Sequence, residues 1–434
     1  MQDPIRQALE HALAALPAGV LRVAYSGGMD SHVLLHALAS LPQARERGLA
    51  AVHIDHGLNT ASANWAAHCS RVTQTLDVPC ECVRVSVSRA GLGLEASARE
   101  ARRAALGERL PPGGVLALAH HADDQSETVL LKLLRGAGPE GLGGMRGLRE
   151  FASGWLWRPL LGMPRSALHA YAQAHELEWI EDPSNADPAL ARNFLRADVL
   201  PRLRRHWPRL DDALHHAARH ALAAAEFIHA QAAEALAGMQ GLDPSTLDWA
   251  QWLALPDALR DPVLRRWLRE LALAEPTHLI LAELERQLRE ADAERVPCIA
   301  YAGTELRRHR GLLYARAAVG DPPAGWQAPW DGTPLELPAG CGLLRLEPAA
   351  SLPQEPLSVR FRRGGEALKP LGSPHTRELR DLFQAAGIPP WERPRLPLVF
   401  QGDRLFAVAD LWHTDAADAW LRERACQIVF SPCK

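Results

Sequence analysis

The sequence predicts an α/β protein: an N-terminal doubly wound parallel sheet, then a helical domain, then a small α+β domain at the C-terminus. Three observations predict this. Up to about residue 185, apolar runs of strand length alternate with helical stretches, the pattern of a parallel sheet covered by helices. From about 210 to 310, apolar residues recur at every third and fourth position, which is helical spacing. After about 350, short strands return around a single helix. A chain of 434 residues has room for two or three such domains.

The elements follow in order. The first domain, 1–208, has candidate strands Leu21–Tyr25, Leu49–Ile54, Cys80–Val87 and Val115–Ala119, with helices between them. In such a sheet, ligands sit at the carboxyl ends of the strands, so chemistry is expected in the segments that follow each one. The second domain, 209–318, carries the alanine-rich helix Ala213–Gly238 and the helical stretches Leu247–Leu273 and His278–Ala293. Residues 319–349 hold Pro322, Pro323, Gly325, Pro329, Gly332 and Pro334 and read as a turn-rich linker. The last domain, 350–434, places strands Leu357–Arg362, Leu398–Gln401 and Leu405–Val408 around the helix Thr376–Ala386.

Composition narrows the class. Apolar content of 47% and charged content of 23% are those of a globular protein. No run is apolar enough to span a bilayer and no signal-like segment opens the chain, so no membrane association and a cytoplasmic location are expected. Seven cysteines are scattered without any CxxC, which argues against a zinc site or a disulfide framework. A net charge of −3 argues against a globally basic nucleic-acid binder. Only Lys132, Lys369 and Lys434 are lysines among 48 basic residues, a codon-composition effect, so local clusters carry the information. Two stand out, Arg192 to Arg209 and Arg360 to Arg380.

The most specific segment is Ser26-Gly27-Gly28-Met29-Asp30-Ser31, between an apolar strand and a helix. Strand, glycine turn and helix together aim backbone N–H groups at an anion. Gly27 and Gly28 permit close backbone approach, Ser26 and Ser31 supply hydroxyls, and Asp30 can hold a divalent cation on phosphates. No Lys-Ser/Thr pair follows the glycines, so this is not a Walker A loop, and no dinucleotide fingerprint is present.

Other strand ends add to the site. Asp55 and His56 end the second strand, where they can touch an adenosine. Glu95, Arg99 and Arg102 share one helix face, which by itself is also a salt-bridged surface. His120-His121-Ala122-Asp123-Asp124-Gln125-Ser126-Glu127 opens a helix after the fourth strand. His120, Asp124 and Glu127 are expected to point one way there, making a site for Mg²⁺. A transition-metal hydrolase site is the rival reading of that segment, and it has no use for a phosphate loop. Arg192 and Arg196 lie on one helix face and, with Arg202, Arg204, Arg205 and Arg209, form a basic ridge suited to a phosphate backbone.

SGGMDS resembles the pyrophosphate loop of the N-type ATP pyrophosphatases. In order, SGGMDS, HIDHGL, LEASAREARR, AHHADDQSETVLLKLLRGAGPEGLGGM, RPLL, EDPSN and RNFLR are similar to the tRNA(Ile)-lysidine synthetases. Arg362–Glu366, Leu379–Phe383, Gly387–Pro389 and Arg393–Leu398 are similar to that family's C-terminal domain. The resemblance implies an adenine-nucleotide α-hydrolase-like fold and ATP as co-substrate with Mg²⁺. It implies a ligase: ATP adenylates the C2 oxygen of the wobble cytidine of a CAU-anticodon tRNA(Ile). Free L-lysine then displaces AMP, and decoding changes from AUG to AUA.

By carry-over, Ser26, Gly27, Gly28, Met29, Asp30 and Ser31, with Asp55 and His56, hold ATP, and Asp30 and Asp124 hold the metal. Asp30, Arg99, His120, Asp124 and Glu127 line the reaction site, and Arg192, Arg196 and Arg205 meet the tRNA. A homodimer is left open. The alternatives are a tRNA thiolase on the same fold and a non-catalytic tRNA-binding protein with a vestigial nucleotide site.

Overall fold

The computed structural model describes residues 3–55, 57, 62–86, 94–181, 190–290, 297–349 and 356–432. The chain divides into two compact units, Met1–Phe227 and Ile228–Lys434.

The first unit is built on a six-stranded sheet. Its elements are α1 (Pro4–Ala14), β1 (Leu21–Ala24), α2 (Met29–Ala39), α3 (Pro42–Glu46), β2 (Ala50–Asp55), α4 (Ser62–Thr75), β3 (Cys80–Arg84), α5 (Leu94–Glu108), β4 (Val115–Ala117), α6 (Ala122–Leu134) and α7 (Pro139–Leu142). They continue with β5 (Leu148–Phe151), β6 (Gly154–Trp157), α8 (Arg165–Ala174), α9 (Ala191–Phe194), a π-helical turn Leu195–Val199, α10 (Leu200–His206) and α11 (Leu210–Met239), the last crossing into the second unit. The strand order is β3-β2-β1-β4-β6-β5. All neighbours are parallel except the edge strand β5, which is antiparallel to β6.

This order decides where the site lies. From β1 the chain proceeds outward through β2 and β3, then returns to place β4 on the other side of β1. The crevice at the carboxyl ends of β1 and β4 is therefore the topological switch point, where open α/β sheets bind ligands. Leu21, Val23 and Val115 are fully buried, as interior parallel strands covered on both faces require. Val33, Leu34, Leu35 and Leu38 of α2 are equally buried, so α2 is a core helix and holds its N-terminus rigidly under the crevice.

The four expected strands are present, each within a few residues of its expected bounds. The β5–β6 hairpin is an addition: Trp155-Leu156-Trp157 is too short an apolar run to stand out in sequence, and it becomes a strand by pairing with β4.

The second unit adds strands to the expected helical region. Its first part has β7 (Thr246–Asp248), α12 (Trp249–Ala254), α13 (Asp257–Glu270), α14 (His278–Glu290), β8 (Cys298–Tyr301), β9 (Thr304–His309) and β10 (Leu312–Ala317). These strands form an antiparallel sheet in the order β7-β10-β9-β8, so 209–318 is not purely helical. Buried Trp252, Trp267, Leu264 and Leu313 fill the space between helices and sheet.

The expected linker is also structured. β11 (Gln327–Trp330), β12 (Leu335–Leu337) and β13 (Gly342–Glu347) lie within it. β11 pairs with β14 (Leu357–Arg360), and β13 pairs with the last strand of the chain, Gln427–Ser431. Gly332 and Pro334 lie in the turn between β11 and β12, while Pro329 sits within the edge strand β11, where a missing N–H is tolerated. The C-terminal part holds a five-stranded sheet, centred on strand Leu398–Gln401, with helices Leu379–Ala385 and Asp415–Glu423. Among the described residues, no helix is long and apolar enough to cross a membrane.

Candidate functional site

The loop after β1 is closed by its own serines. Ser31 Oγ accepts from the Ser26 N–H at 3.2 Å, donates to the Gly28 carbonyl at 2.9 Å and lies 3.0 Å from Ser26 Oγ. Gly28 caps α2 in an extended conformation without a side-chain bond, which leaves the first N–H groups of the helix for an external acceptor. Gly27 adopts φ +82°, and a Cβ there would lie 2.7 Å from Ile180 Cδ1 and 3.0 Å from Cys69 Sγ. Gly27→Ala is therefore strained in both backbone and space. We expect it to weaken ATP binding about tenfold or more and to destabilise the fold by about 1–3 kcal/mol. Calorimetric titration with ATP and a thermal melt test this.

The start of α6 faces that loop. His121 caps α6 and is 1% exposed. Its Nε2 is 3.4 Å from Asp124 Oδ2 and 3.7 Å from Asp30 Oδ2, and its Nδ1 is 3.8 Å from Asp123 Oδ2. Burial pushes the imidazole toward the neutral form, but the three carboxylates outweigh it and raise the pKa above the ordinary histidine value. His121 thus joins the loop carboxylate Asp30 to the helix carboxylate Asp124.

His120, expected to point the same way as Asp124 and Glu127, does not. His120 turns the other way, and its Nδ1 accepts from Arg158 Nε at 3.1 Å. Burial, then the charges of Arg158 and other arginines including Arg99, hold His120 well below the usual histidine range. It is a neutral acceptor beside a guanidinium, away from the carboxylates. One residue of phase at a strand-to-helix junction decides which of two adjacent histidines faces the loop.

Glu127 is fully buried and held by two arginines. Arg192 Nε donates to Oε2 at 2.8 Å. Arg196 Nε donates to Oε1 at 2.6 Å, and Arg196 Nη2 donates to Oε2 and to Asp124 Oδ1, each at 3.0 Å. Arg192 Nη2 also donates to Thr128 Oγ1 at 2.8 Å. Of the expected basic ridge, Arg192 and Arg196 are spent on Glu127, because a buried carboxylate requires charge-assisted donors. Of the three arginines expected to meet tRNA, Arg205 is the exposed one, on α10. The π-helical turn at Leu195–Val199 lies between α9 and α10, and Arg196 is on it.

A second set of contacts anchors α6. Arg204 donates to Asp123 Oδ1 at 2.9 Å and to both oxygens of Asp211 at 2.9 Å. Asp211 also accepts from the buried Ser126 Oγ at 2.6 Å. Arg204, expected in the basic ridge, instead pairs with Asp123 and Asp211, and Asp211 was not legible as a site residue because it carries no motif spacing.

Of the remaining expected residues, Asp55 is mostly buried and engaged locally. Its Oδ1 accepts from the Gly57 N–H at 2.8 Å and its Oδ2 lies 3.4 Å from Arg84 Nε. His56 lies outside the described residues. Arg99 is exposed on α5. Among the described residues, no cluster of three His, Cys, Asp or Glu side chains is arranged to hold a metal by itself. Mg²⁺ on a nucleotide needs fewer: one or two carboxylates plus phosphate oxygens. Asp30 and Asp124, both beside His121 Nε2, fit that requirement, and Asp30 Oδ1 is a buried oxygen without a hydrogen-bond partner.

Comparison with known proteins gives consistent findings. Residues 1–203 match a PP-loop domain, 247–314 a TilS substrate binding domain, and 357–430 a TilS substrate C-terminal domain. The chain is 44% identical over 419 residues to the tRNA(Ile)-lysidine synthase of Xanthomonas axonopodis pv. citri (strain 306), covering 96% of this chain and 95% of that one. It is 41% identical over 448 residues to the tRNA(Ile)-lysidine synthase of Pseudomonas aeruginosa, covering 99% and 97%. Among solved structures, the U34-tRNA thiolase NcsA from Methanococcus maripaludis aligns with a TM-score of 0.41 and 16% identity, over 50% of this chain and 77% of that one.

Proposed function

The chain belongs to the tRNA(Ile)-lysidine synthase family, and from that premise we propose that it joins free L-lysine to C2 of the wobble cytidine of a CAU-anticodon tRNA(Ile). It is an ATP-using ligase of the PP-loop class that modifies tRNA. The first step breaks the α–β phosphate bond: the cytidine C2 oxygen attacks the α-phosphorus, and pyrophosphate leaves. In the second, the lysine ε-amine attacks C2, AMP departs with the C–O bond electrons, and the nitrogen loses a proton. Decoding then changes from AUG to AUA.

The observation that carries this reading is the meeting of the glycine loop with the start of α6 at the β1/β4 switch point. In this reading Ser26, Ser31 and the N–H groups at the start of α2 hold the pyrophosphate oxygens, which the loop geometry supports. Asp30 and Asp124 would hold Mg²⁺, which when bound neutralises developing charge on the phosphates. His121 keeps those two carboxylates together before substrate arrives. Arg192 and Arg196 hold Glu127 and Asp124 in a fixed orientation, so the acidic wall needs no reorganisation during the reaction. Asp124, the more exposed of the two, can hold lysine's ε-ammonium as it arrives, and the nitrogen gives up a proton before it attacks C2 as a neutral amine. A tRNA substrate fits a cytoplasmic location.

The thiolase reading is disfavoured by the thiols. Burial pushes Cys69, beside the loop, up to about 12, and Cys80 up to about 11, far from a reactive thiolate.

Incubation with tRNA(Ile) transcript, ATP and labelled lysine is expected to place label in the tRNA, and a tRNA(Met) transcript assayed alongside should stay unlabelled. A folded protein that transfers no lysine would overturn the proposal. Because Arg205 is exposed, Arg205→Ala is expected to weaken tRNA binding and to reduce the dependence of log K on log salt by about one unit. An unaltered slope would remove Arg205 from the interface.

A further inference from the structure

A second cavity lies on the opposite side of α6 from Glu127's arginine clamp. Its volume is about 470 Å³, and it is bounded by the 143–148 segment and the first half of α11. Met145, Leu148 and Leu222 form apolar walls, while Arg146, Arg219 and Glu226 stand around them. None of these residues has a part in the mechanism above. Sites of this size, mostly apolar with a few polar groups, suit a small organic ligand.

The cavity wall is built with care for its position. Gln125 of α6 accepts from the Met145 N–H at 2.8 Å and donates to the Met145 carbonyl at 3.1 Å. Gly144 has φ +67°, and a Cβ there would lie 2.7 Å from Gln125 Nε2; one on Gly143 would lie 3.1 Å from Leu222 Cβ. The Gly-Gly-Met run therefore exists to bring the wall against Gln125 and Leu222. Gln125 directly follows Asp124, so the same helix carries the reactive carboxylates on one side and this cavity on the other. His215 ties α11 to α6, with Nε2 2.9 Å from the Ala122 carbonyl.

We propose that this cavity receives an unstacked nucleotide of the anticodon loop, next to the cytidine being modified; the inference rests on the function proposed above. An enzyme that acts on a loop base must unstack it, which leaves neighbouring bases without stacking partners. Apolar walls and guanidinium planes are the surfaces that take up such bases. The charges agree. Among the described residues Arg219 has no carboxylate partner, and Arg146 Nη1 is 3.8 Å from Glu226, which leaves its other donors for a phosphate. Free lysine, with two ammonium groups and one carboxylate, meets the reverse of what two arginines and one glutamate offer.

Two variants of the full-length protein test this. Leu222→Trp fills the cavity, and Arg219→Ala removes an exposed cation without touching the core. Each is expected to raise the KM for tRNA(Ile) about tenfold, with the KM values for ATP and lysine within about twofold of the parent. A transcript with 2-aminopurine replacing the anticodon adenosine reads the pocket directly. Its fluorescence change on binding the parent protein, without ATP or lysine, should be lost in L222W. An unchanged tRNA KM in R219A, or an aminopurine signal indifferent to L222W, overturns the proposal. So does a rise in the lysine KM alone, which would make the cavity the lysine site. Should L222W fail to fold, R219A decides. Absence of lysine transfer by the parent protein would instead overturn the proposed function, while the binding signal still reports on the cavity.

Discussion

Asp30→Ala is expected to lower tRNA-dependent pyrophosphate release by about 10²–10³-fold while leaving the protein folded. Asp30 lies in the first turn of α2, with one oxygen buried and without a hydrogen-bond partner. Arg165 Nε lies 3.8 Å from that oxygen, beyond hydrogen-bond distance, and the other oxygen is 3.7 Å from His121 Nε2. No core packing depends on it. The local cost is the loss of a carboxylate at a helix N-terminus, about 0.3–1 kcal/mol. The catalytic cost is larger, because the variant lacks one of the two anions proposed to hold Mg²⁺ on the phosphates. Quantifying pyrophosphate release, together with a melting curve, separates the two costs. Unchanged ATP-dependent activity would show that the loop carboxylate takes no part in the reaction.

Arg196→Ala is expected to cost the most stability of these changes and to lower the rate as well. It removes three hydrogen bonds, two to Glu127 and one to Asp124. Glu127 is fully buried, so it cannot recover those bonds from water. Breaking one side of a buried ion pair costs about 3–5 kcal/mol. The lower end applies here, since Arg192 still holds Oε2 and Arg196 is 38% exposed. The rate should fall by about 10²-fold or more, because the start of α6 loses its fixed orientation. Urea unfolding measures the first effect and lysine transfer the second. The double variant Glu127→Gln/Arg196→Met should be more stable than Arg196→Ala, since it removes a buried carboxylate left with one arginine instead of two. If it is no more stable, the clamp is not what holds this region.

Much of the fold was legible because its signals are local. The four expected strands appear in the sheet, since interior parallel strands must be apolar along their length. The β5–β6 hairpin was not legible, because Trp155-Leu156-Trp157 is stabilised by pairing with β4 rather than by its own pattern. The same holds for β11 to β13, whose partners lie up to about ninety residues away at the end of the chain. Turn residues mark where a chain bends and say nothing of what its flanks pair with.

Within the site, the sequence by itself determined the make-up of the loop and the turn it takes. Two glycines, two hydroxyls and a carboxylate between a strand and a helix have few other uses, and their geometry is set within six residues. It also identified Asp124 and Glu127, because carboxylates at a helix start after a strand are a local pattern. Only the tertiary structure decided that His121 rather than His120 faces Asp30, and that Arg192 and Arg196 turn inward to Glu127. The physical reason is common to both. Each outcome depends on which side of α6 is buried and against what, and a buried charge takes its partner from wherever the fold brings one, here about seventy residues along the chain.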